Sequence, residues 1–224
     1  MKIGIIGAGH IGGTLARRLS ALGHDVSIAN SRGPDSLTDL AKETGAKAAT
    51  LRDAARDKDV VIVSIPEKSV RDLPRDLFAG NDRAVVIDTG NYYPKRDGRI
   101  AAIEEGMTES QWVAQQLGRP VVKAFNTIYA RHLLEGGRAA DQSGRIALPI
   151  AGDNPAAKEL VIRLLDELGF DGVDAGTLAE SWRQQPGTPV YGADLNLDSI
   201  QSALMAARHE RSAEFRAPAT SRPG

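Results

Sequence analysis

The stretch KIGIIGAGHIGG, residues 2–13, decides the fold. Its apolar first half predicts a buried strand from Lys2 to Ile6, and glycines follow at once at positions 7, 9 and 12. A strand, a glycine-rich turn and a helix in this order are typical of a dinucleotide-binding βα unit. The helix is indicated by an apolar stripe at spacings of four, four and three residues: Ile11, Leu15, Leu19 and Leu22.

Each glycine of this turn has its own expected task. Gly7 permits the tight turn, Gly9 lets the backbone approach a diphosphate, and Gly12 allows close packing of helix on strand. The helix N-terminus then faces the anion, so no basic side chain is needed. The alternative is a glycine turn that binds nothing. The residues that we expect to bind the diphosphate of a dinucleotide are Gly7, Ala8, Gly9, His10, Ile11 and Gly12.

The end of the second predicted strand indicates which dinucleotide binds. Sites that prefer NAD usually carry an acidic residue there to bond the ribose 2′-hydroxyl. This chain has Asn30, Ser31 and Arg32 instead, with no carboxylate. A guanidinium and a hydroxyl suit a 2′-phosphate, so we predict NADP(H). A solvated turn is the alternative, since Gly33 and Pro34 follow immediately.

Short apolar runs alternate with helical patterns along most of the chain. This alternation is typical of an α/β fold, and we predict a doubly wound, mostly parallel sheet of the Rossmann type. Runs that are apolar throughout, such as VVIVSI at residues 60–65, are expected where helices cover both faces of a strand. Up to eight strands are predicted: Lys2 to Ile6, Asp25 to Ala29, Lys47 to Ala49, Val60 to Ile65, Ala84 to Asp88, Pro120 to Phe125, Arg145 to Ala151 and Phe170 to Asp174.

The alternation stops after Gly176, which divides the chain into two expected parts. Residues 1–176 are predicted to form an NADP-binding domain of the Rossmann type, and residues 177–224 a short C-terminal helical appendage. Its helix is expected from about Leu195 to Arg211, with an apolar stripe that covers the body of the protein or a second copy in a homodimer. The final APATSRPG, residues 217–224, is expected to be disordered.

Charge and residue content exclude several classes of function. The chain has 224 residues, 28 basic and 29 acidic, with a formal net charge of -1. That balance gives no electrostatic case for nucleic acid or an anionic membrane as partner. Cysteine is absent, which excludes thiol nucleophiles and cysteine-ligated metals. The four histidines lack ligand spacing, so we expect no metal site.

Nothing in the sequence predicts a membrane-spanning or secretory segment. The apolar runs are far shorter than the roughly 18 residues that a spanning helix requires. Glycines and His10 interrupt the apolar opening, and no cleavage pattern follows. We therefore expect a cytoplasmic protein that acts on a small-molecule or cofactor substrate.

Ligands of open parallel sheets bind outside the carboxyl ends of the strands. Three segments that follow predicted strands should therefore line the site. Turn formation is the alternative explanation for each of them. The segments are Ser64, Ile65 and Pro66; Thr89, Gly90, Asn91, Tyr92 and Tyr93; and Asn126, Thr127 and Ile128.

A family resemblance rests on four collinear stretches between about residues 2 and 185. They are IGIIGAGHIG at the start, NSR at residues 30–32, VVKAFNT at residues 121–127, and AGDNPAAKELV with DAGTLAESWR near the end. With these motifs the chain resembles the NADPH-dependent reductases of the deazaflavin coenzyme F420. It is also similar to the NADPH-binding domain of membrane metalloreductases.

The resemblance implies hydride transfer between NADPH and coenzyme F420 or a flavin such as FMN or FAD. It places the nicotinamide beside Ser64, Ile65, Pro66, Ala124 and Asn126. It places the acceptor ring beside Asn91, Tyr92, Asn126 and Thr127. Both rings bring their own reactivity, so the protein has to stack them and exclude water. No residue is assigned as a catalytic acid or base.

Two other functions stay open at this point. Reduction of a small carbonyl or imine metabolite usually requires a positioned general acid and a larger helical substrate domain. A non-catalytic NADPH sensor would keep the glycine turn and Arg32 without needing Asn91, Tyr92 or Asn126.

Overall fold

The computed structural model describes residues 1–218, and residues 219–224 of the tail expected to be disordered lie outside the described residues. All eight predicted strands are present, most of them shorter than predicted. Their bounds are β1 (Lys2–Ile6), β2 (Asp25–Ala29), β3 (Lys47–Ala48), β4 (Val60–Val63), β5 (Val85–Asp88), β6 (Val122–Lys123), β7 (Ala147–Ile150) and β8 (Asp171–Asp174).

Six of the strands form one parallel sheet in the order β3-β2-β1-β4-β5-β6. The chain runs outward from β1 in one direction and then returns to β4 on its other side. The carboxyl ends of β1 and β4 therefore meet at a topological switch point, where open sheets of this kind bind ligands. The prediction of a doubly wound, mostly parallel sheet is confirmed.

The last two strands do not extend that sheet. β7 and β8 pair in parallel with each other as a separate two-stranded sheet. The connection to β6 is a single antiparallel bridge between Lys123 and Ala151. Because the bridge runs antiparallel and β6 has only two residues, the parallel ladder cannot continue.

Helices cover the sheet as the alternation predicts. No helix within residues 1–218 is long and apolar enough to cross a lipid bilayer. The helices are α1 (His10–Ala21), α2 (Thr38–Thr44), α3 (Leu51–Ala55), α4 (Glu67–Val70), α5 (Pro94–Asp97), α6 (Ala101–Glu104), α7 (Glu109–Leu117), α8 (Ala130–Glu135), α9 (Pro155–Glu167) and α10 (Leu197–Ala206).

Helix α1 buries part of the predicted stripe. Leu15 and Leu19 are fully buried in the core that β1 and β2 also line. Leu22 was expected in the same stripe, but it is 45% exposed. The reason is that α1 ends at Ala21, so Leu22 is the residue that caps the helix rather than a member of its buried face.

The C-terminal helix is shorter than the predicted span from Leu195 to Arg211. It begins after Asn196, whose side chain accepts a hydrogen bond from the Ser199 amide, and it ends before Ala207, which is extended. Ile200 and Leu204 pack on the β7–β8 pair, while Leu197 is exposed. Because the helix ends there, the following residues run back to the body of the protein, where Arg211 pairs with Glu109.

The start of α9 offers a test of the local structure. The Asn154 side chain accepts a hydrogen bond of 3.1 Å from the amide of Ala157. Asn154→Ala removes this bond and should lower the free energy of unfolding by about 1 kcal/mol, measured by urea denaturation. Asn154→Asp restores an acceptor and should stay close to wild type. Equal losses in the two variants would contradict the capping role.

Candidate functional site

The glycine turn holds three elements together by contacts that leave no room for side chains. Gly7 has a φ of +114°, and a Cβ there would lie 2.1 Å from the Ser64 carbonyl oxygen. A Cβ on Gly12 would lie 2.0 Å from the Gly7 carbonyl oxygen. The end of β1 is thereby pressed against the end of β4 and the start of α1.

Gly9 differs from its two neighbours because it faces open space. A Cβ built on Gly9 meets no atom within 4 Å. Gly9 is also the N-cap residue of α1, a helix with no acidic side chain in its first turn. Unpaired amides at the start of a helix attract phosphate groups, and a glycine lets such a group approach the backbone. This turn therefore fits a diphosphate.

A groove of about 470 Å³ opens beside the turn. We call it the first groove. It brings together most of the residues predicted to bind the nucleotide: Gly7, Ala8, Gly9, Asn30, Ser31, Arg32, Ser64, Ile65 and Pro66. Five further lining residues were not predicted. Ile6 ends β1, and the other four lie on helices and turns between the strands: Leu51, Ser69, Asp72 and Leu73.

The NSR turn is fixed by its own side chains. The Asn30 side-chain oxygen accepts a hydrogen bond of 2.9 Å from the Arg32 amide, and the Asn30 side-chain nitrogen donates to the Ser36 hydroxyl at 2.9 Å. Asn30 therefore shapes the turn, and the exposed Ser31 and Arg32 present their side chains at the edge of the first groove.

A second groove of about 640 Å³ continues from the first. The two share Gly9, Ser64, Ile65 and Pro66, so one continuous path crosses the carboxyl ends of β1 and β4. The second groove also contains Asn91 and Asn126, which were predicted to lie beside the acceptor. His10 and Ile11, which were predicted to bind the diphosphate, line this groove and not the first one. Side chains that sequence reasoning missed form much of its wall: Arg96, Tyr129, Arg131 and Tyr191.

Amide side chains fix the floor of the second groove. Asn91 donates to the Asn126 carbonyl at 2.9 Å, and Asn126 donates back to the Asn91 side-chain oxygen at 3.1 Å. Gln184 completes the network, since its side chain donates to the Asn126 side-chain oxygen at 2.9 Å. Both asparagines are thus held in one orientation by partners within the protein.

Tyrosines form one wall of the second groove. The hydroxyls of Tyr93 and Tyr191 contact each other. Burial, followed by this contact, raises the pKa of Tyr93, which keeps its hydroxyl protonated. The Arg96 guanidinium lies 4.9 Å from the centre of the Tyr93 ring and donates to the Asn91 carbonyl at 2.6 Å. Arg96 therefore links the tyrosine wall of the second groove to its asparagine floor.

Phe125 adds a strained backbone position at the same place. It is the second residue after β6, lines the second groove and has a φ of +63°. Bulky residues rarely adopt this left-handed conformation, and such strain is concentrated at functional sites.

Four predicted site residues line neither groove. The first is Gly12, which is buried against the Gly7 carbonyl. Tyr92 is fully buried, and its hydroxyl donates to the Gly98 carbonyl at 2.9 Å, so Tyr93 rather than Tyr92 faces the groove. Consecutive residues leaving a strand point to opposite sides, and the sequence alone does not say which one faces the groove. Ala124 and Thr127 are also buried, at 0% and 4% exposure, and do not line either groove.

Beneath the second groove lies a cluster of buried charged side chains, which we call the buried ionic cluster. The Lys123 ammonium donates to the Gly90 carbonyl at 2.6 Å and lies 3.3 Å from an oxygen of Asp88. The Gly90 amide donates to the other Asp88 oxygen at 2.9 Å. Lysine and aspartate therefore hold Gly90, a residue of the groove floor, from both ends of its backbone. The members are Glu67, Asp88, Glu109 and Lys123, each at most 1% exposed.

The charges of the cluster shift one another's titration. Burial, and next the charge of Asp88, raise the pKa of Glu67 well above its usual range. Burial alone would lower the pKa of Lys123, but Asp88 and Glu109 outweigh it and raise the pKa. Lys123 is therefore charged at neutral pH. Within residues 1–218 no three histidine or acidic side chains are placed to hold a metal ion.

Comparison with known proteins places the chain in a family. Residues 2–92 match the model described as NADP oxidoreductase, coenzyme F420-dependent. A hypothetical protein from Sinorhizobium meliloti of known structure is 35% identical, with a TM-score of 0.76 over 87% of this chain and 95% of its own. The chain belongs to the F420-dependent NADP oxidoreductase family. NADP is the nucleotide of that family, in agreement with the prediction from Asn30 to Arg32.

Two further relatives agree with this family. A provisionally assigned F420-dependent NADP reductase from Arthrobacter sp. FB24 is 25% identical, with a TM-score of 0.66 over 81% of this chain and 86% of its own. The metalloreductase STEAP3 of Rattus norvegicus is 28% identical over 183 residues, which are 80% of this chain and 35% of that protein. The chain spans 35% to 58% of the length of three curated relatives that it matches.

The raised pKa of Glu67 predicts a pH-dependent cost to stability. Between the ordinary glutamate pKa of about 4.3 and the higher native value, the native state binds more protons than the unfolded state, so the wild-type protein loses stability as pH rises. Glu67→Gln does not titrate. Its free energy of unfolding relative to wild type should rise between pH 5 and 8 by at most about 1.4 kcal/mol per pH unit.

Urea denaturation at several pH values measures this difference. The exposed Glu159→Gln is the matched control and should run parallel to wild type. Parallel curves for Glu67→Gln and wild type would show that Glu67 has an ordinary pKa.

Proposed function

We propose that this chain transfers a hydride between NADP(H) and a deazaflavin or flavin acceptor, namely coenzyme F420, FMN or FAD. The observation that carries the proposal is the continuous path from Arg32, across Gly9, into the tyrosine-walled second groove. One end of this path suits a phosphorylated nucleotide, and the other has room for a flat conjugated ring. The family and the Arthrobacter relative support the same pairing.

The first groove would hold the nucleotide half of NADP(H). The amides at the start of α1 face the diphosphate over Gly9, and Ser31 and Arg32 hold the 2′-phosphate. The turn from Ser64 to Pro66 lies where the two grooves join, and there it positions the nicotinamide. When bound, NADPH supplies the hydride from C4 of this ring.

The second groove would orient the acceptor. The Asn91–Asn126 network is a fixed floor, and Tyr93, Tyr129 and Tyr191 give apolar faces against which a conjugated ring can stack. Arg96 and Arg131 at the same groove suit an acceptor with anionic substituents. The residues act by stacking two rings with reacting atoms about 3 to 3.5 Å apart and by excluding water.

The division of the chain follows from the same assignment. Residues 1–176 form the NADP-binding domain in this proposal, and the C-terminal segment contributes Tyr191 to the acceptor groove. The segment then serves the acceptor rather than the nucleotide.

Arg32→Ala tests the nucleotide assignment. Loss of a charge-assisted contact with the 2′-phosphate should weaken NADPH binding by about 1.5 to 3 kcal/mol, on the order of ten- to a hundredfold. NADH lacks that phosphate, so its affinity should barely change. Isothermal titration of both nucleotides measures the effect, and the exposed Arg163→Ala serves as control. Equal losses for the two nucleotides would refute the assignment.

An acceptor panel tests the reaction. NADPH absorbance is followed while coenzyme F420, FMN, FAD and a set of ketones and imines are offered separately. We expect oxidation of NADPH with at least one deazaflavin or flavin and none with the carbonyl compounds. Consumption of carbonyl or imine compounds alone would identify a metabolite reductase, and NADPH binding without any turnover would identify a sensor.

A further inference from the structure

Glu67 is a buried carboxyl group that neither groove uses. Its side chain is fully buried, and neither of its oxygens has a hydrogen-bond partner among residues 1–218. Burying a polar group without a partner is costly, and native proteins retain few such groups without a reason. A role for Glu67 should therefore depend on where it lies.

The surrounding charges leave Glu67 without a cation. Each of the other carboxylates that face it forms an ion pair with a basic side chain on its own element or on a neighbouring one. The three pairs are Arg96–Asp97 on α5, Lys123–Asp88 between β6 and β5, and Arg211–Glu109 between the C-terminal segment and α7. Four carboxyl groups thus share three cations, and the one without hydrogen bonds is Glu67. When Asp97, Arg96 and Arg211 are counted together with the buried ionic cluster, a neutral total requires Glu67 to carry a proton.

Glu67 lies directly under the second groove. It follows Pro66 in the chain, and a Cβ on Gly90 would lie only 2.6 Å from its Oε1 atom. Pro66 and Gly90 both line the groove. Because residue 90 is a glycine, no side chain separates the Glu67 carboxyl group from the groove floor.

Resting on the proposed function, we propose that Glu67 stores the proton that accompanies the hydride and releases it past Gly90 to the reduced acceptor. The balanced reaction is NADPH plus oxidised acceptor plus one proton giving NADP⁺ plus reduced acceptor. The O–H bond of Glu67 breaks, and the proton reaches a ring nitrogen of the acceptor directly or through one water. The Lys123 ammonium stabilises the carboxylate left behind, which then regains a proton from solvent.

Glu67→Gln in the full chain tests directly whether Glu67 donates the proton, with FMN as the acceptor probe. We expect the single-turnover rate of FMN reduction at pH 7 to fall by about a hundredfold or more, while NADPH affinity stays at the wild-type value. The wild-type rate should fall as pH rises and Glu67 loses its proton, and this fall should be absent in the variant.

Carboxyl ¹³C NMR of glutamate-labelled protein gives a second readout that needs no acceptor. The Glu67 signal, assigned by its loss in Glu67→Gln, should remain that of a protonated carboxyl at pH 7. Glu109→Gln leaves Glu67 in place but makes the carboxyl groups equal in number to the cations. Glu67 should then ionise at lower pH, and the fall in reduction rate should move with it.

Three results would overturn the proposal. They are a wild-type rate and pH profile in Glu67→Gln, a Glu67 carboxyl that is ionised throughout pH 5 to 8, and no change in Glu67 titration in Glu109→Gln. If wild-type protein binds NADPH and reduces no acceptor, the proposed function fails and this inference fails with it. If only the inference about Glu67 is wrong, the wild-type protein still reduces the flavin.

Discussion

The edge of the sheet that carries both grooves depends on two close backbone approaches. The Gly7 carbonyl oxygen occupies the place where a Gly12 side chain would begin, and the Ser64 carbonyl does the same for Gly7. If Gly7 and Gly12 carried side chains, β1, β4 and α1 could not converge. Their convergence places Gly9 at an open surface, joins the two grooves there and brings Pro66 next to Gly90.

A second constraint comes from the charges buried under that edge. Lys123 and Asp88 fix the Gly90 backbone, and Arg211 returns from beyond α10 to pair with Glu109. The C-terminal segment is thereby tied to the floor of the second groove. Buried ion pairs contribute little to the free energy of unfolding. We therefore infer that these pairs serve to fix the Gly90 backbone and to set the protonation of Glu67.

The sequence was sufficient to predict the parallel strands and most of the residues that line the first groove, because both depend on local patterns. The glycine spacing, the NSR turn and the apolar strands are each read within a few residues, and eight strands are found where they were predicted. The choice between Tyr92 and Tyr93 needs the direction in which the chain leaves β5. The buried ionic cluster needs four elements to be folded together, although Lys123 inside the apolar run VVKAF and Asp88 at the end of VVID were visible signals.

A crystal structure of the protein with bound NADPH tests the central claim most directly. The diphosphate should lie over Gly9 against the start of α1, the 2′-phosphate should contact Ser31 and Arg32, and the nicotinamide should lie between Pro66 and Asn91 at the entrance to the second groove. A nucleotide bound elsewhere, or an Arg32 side chain pointing into solvent with the 2′-phosphate unbound, would contradict the account.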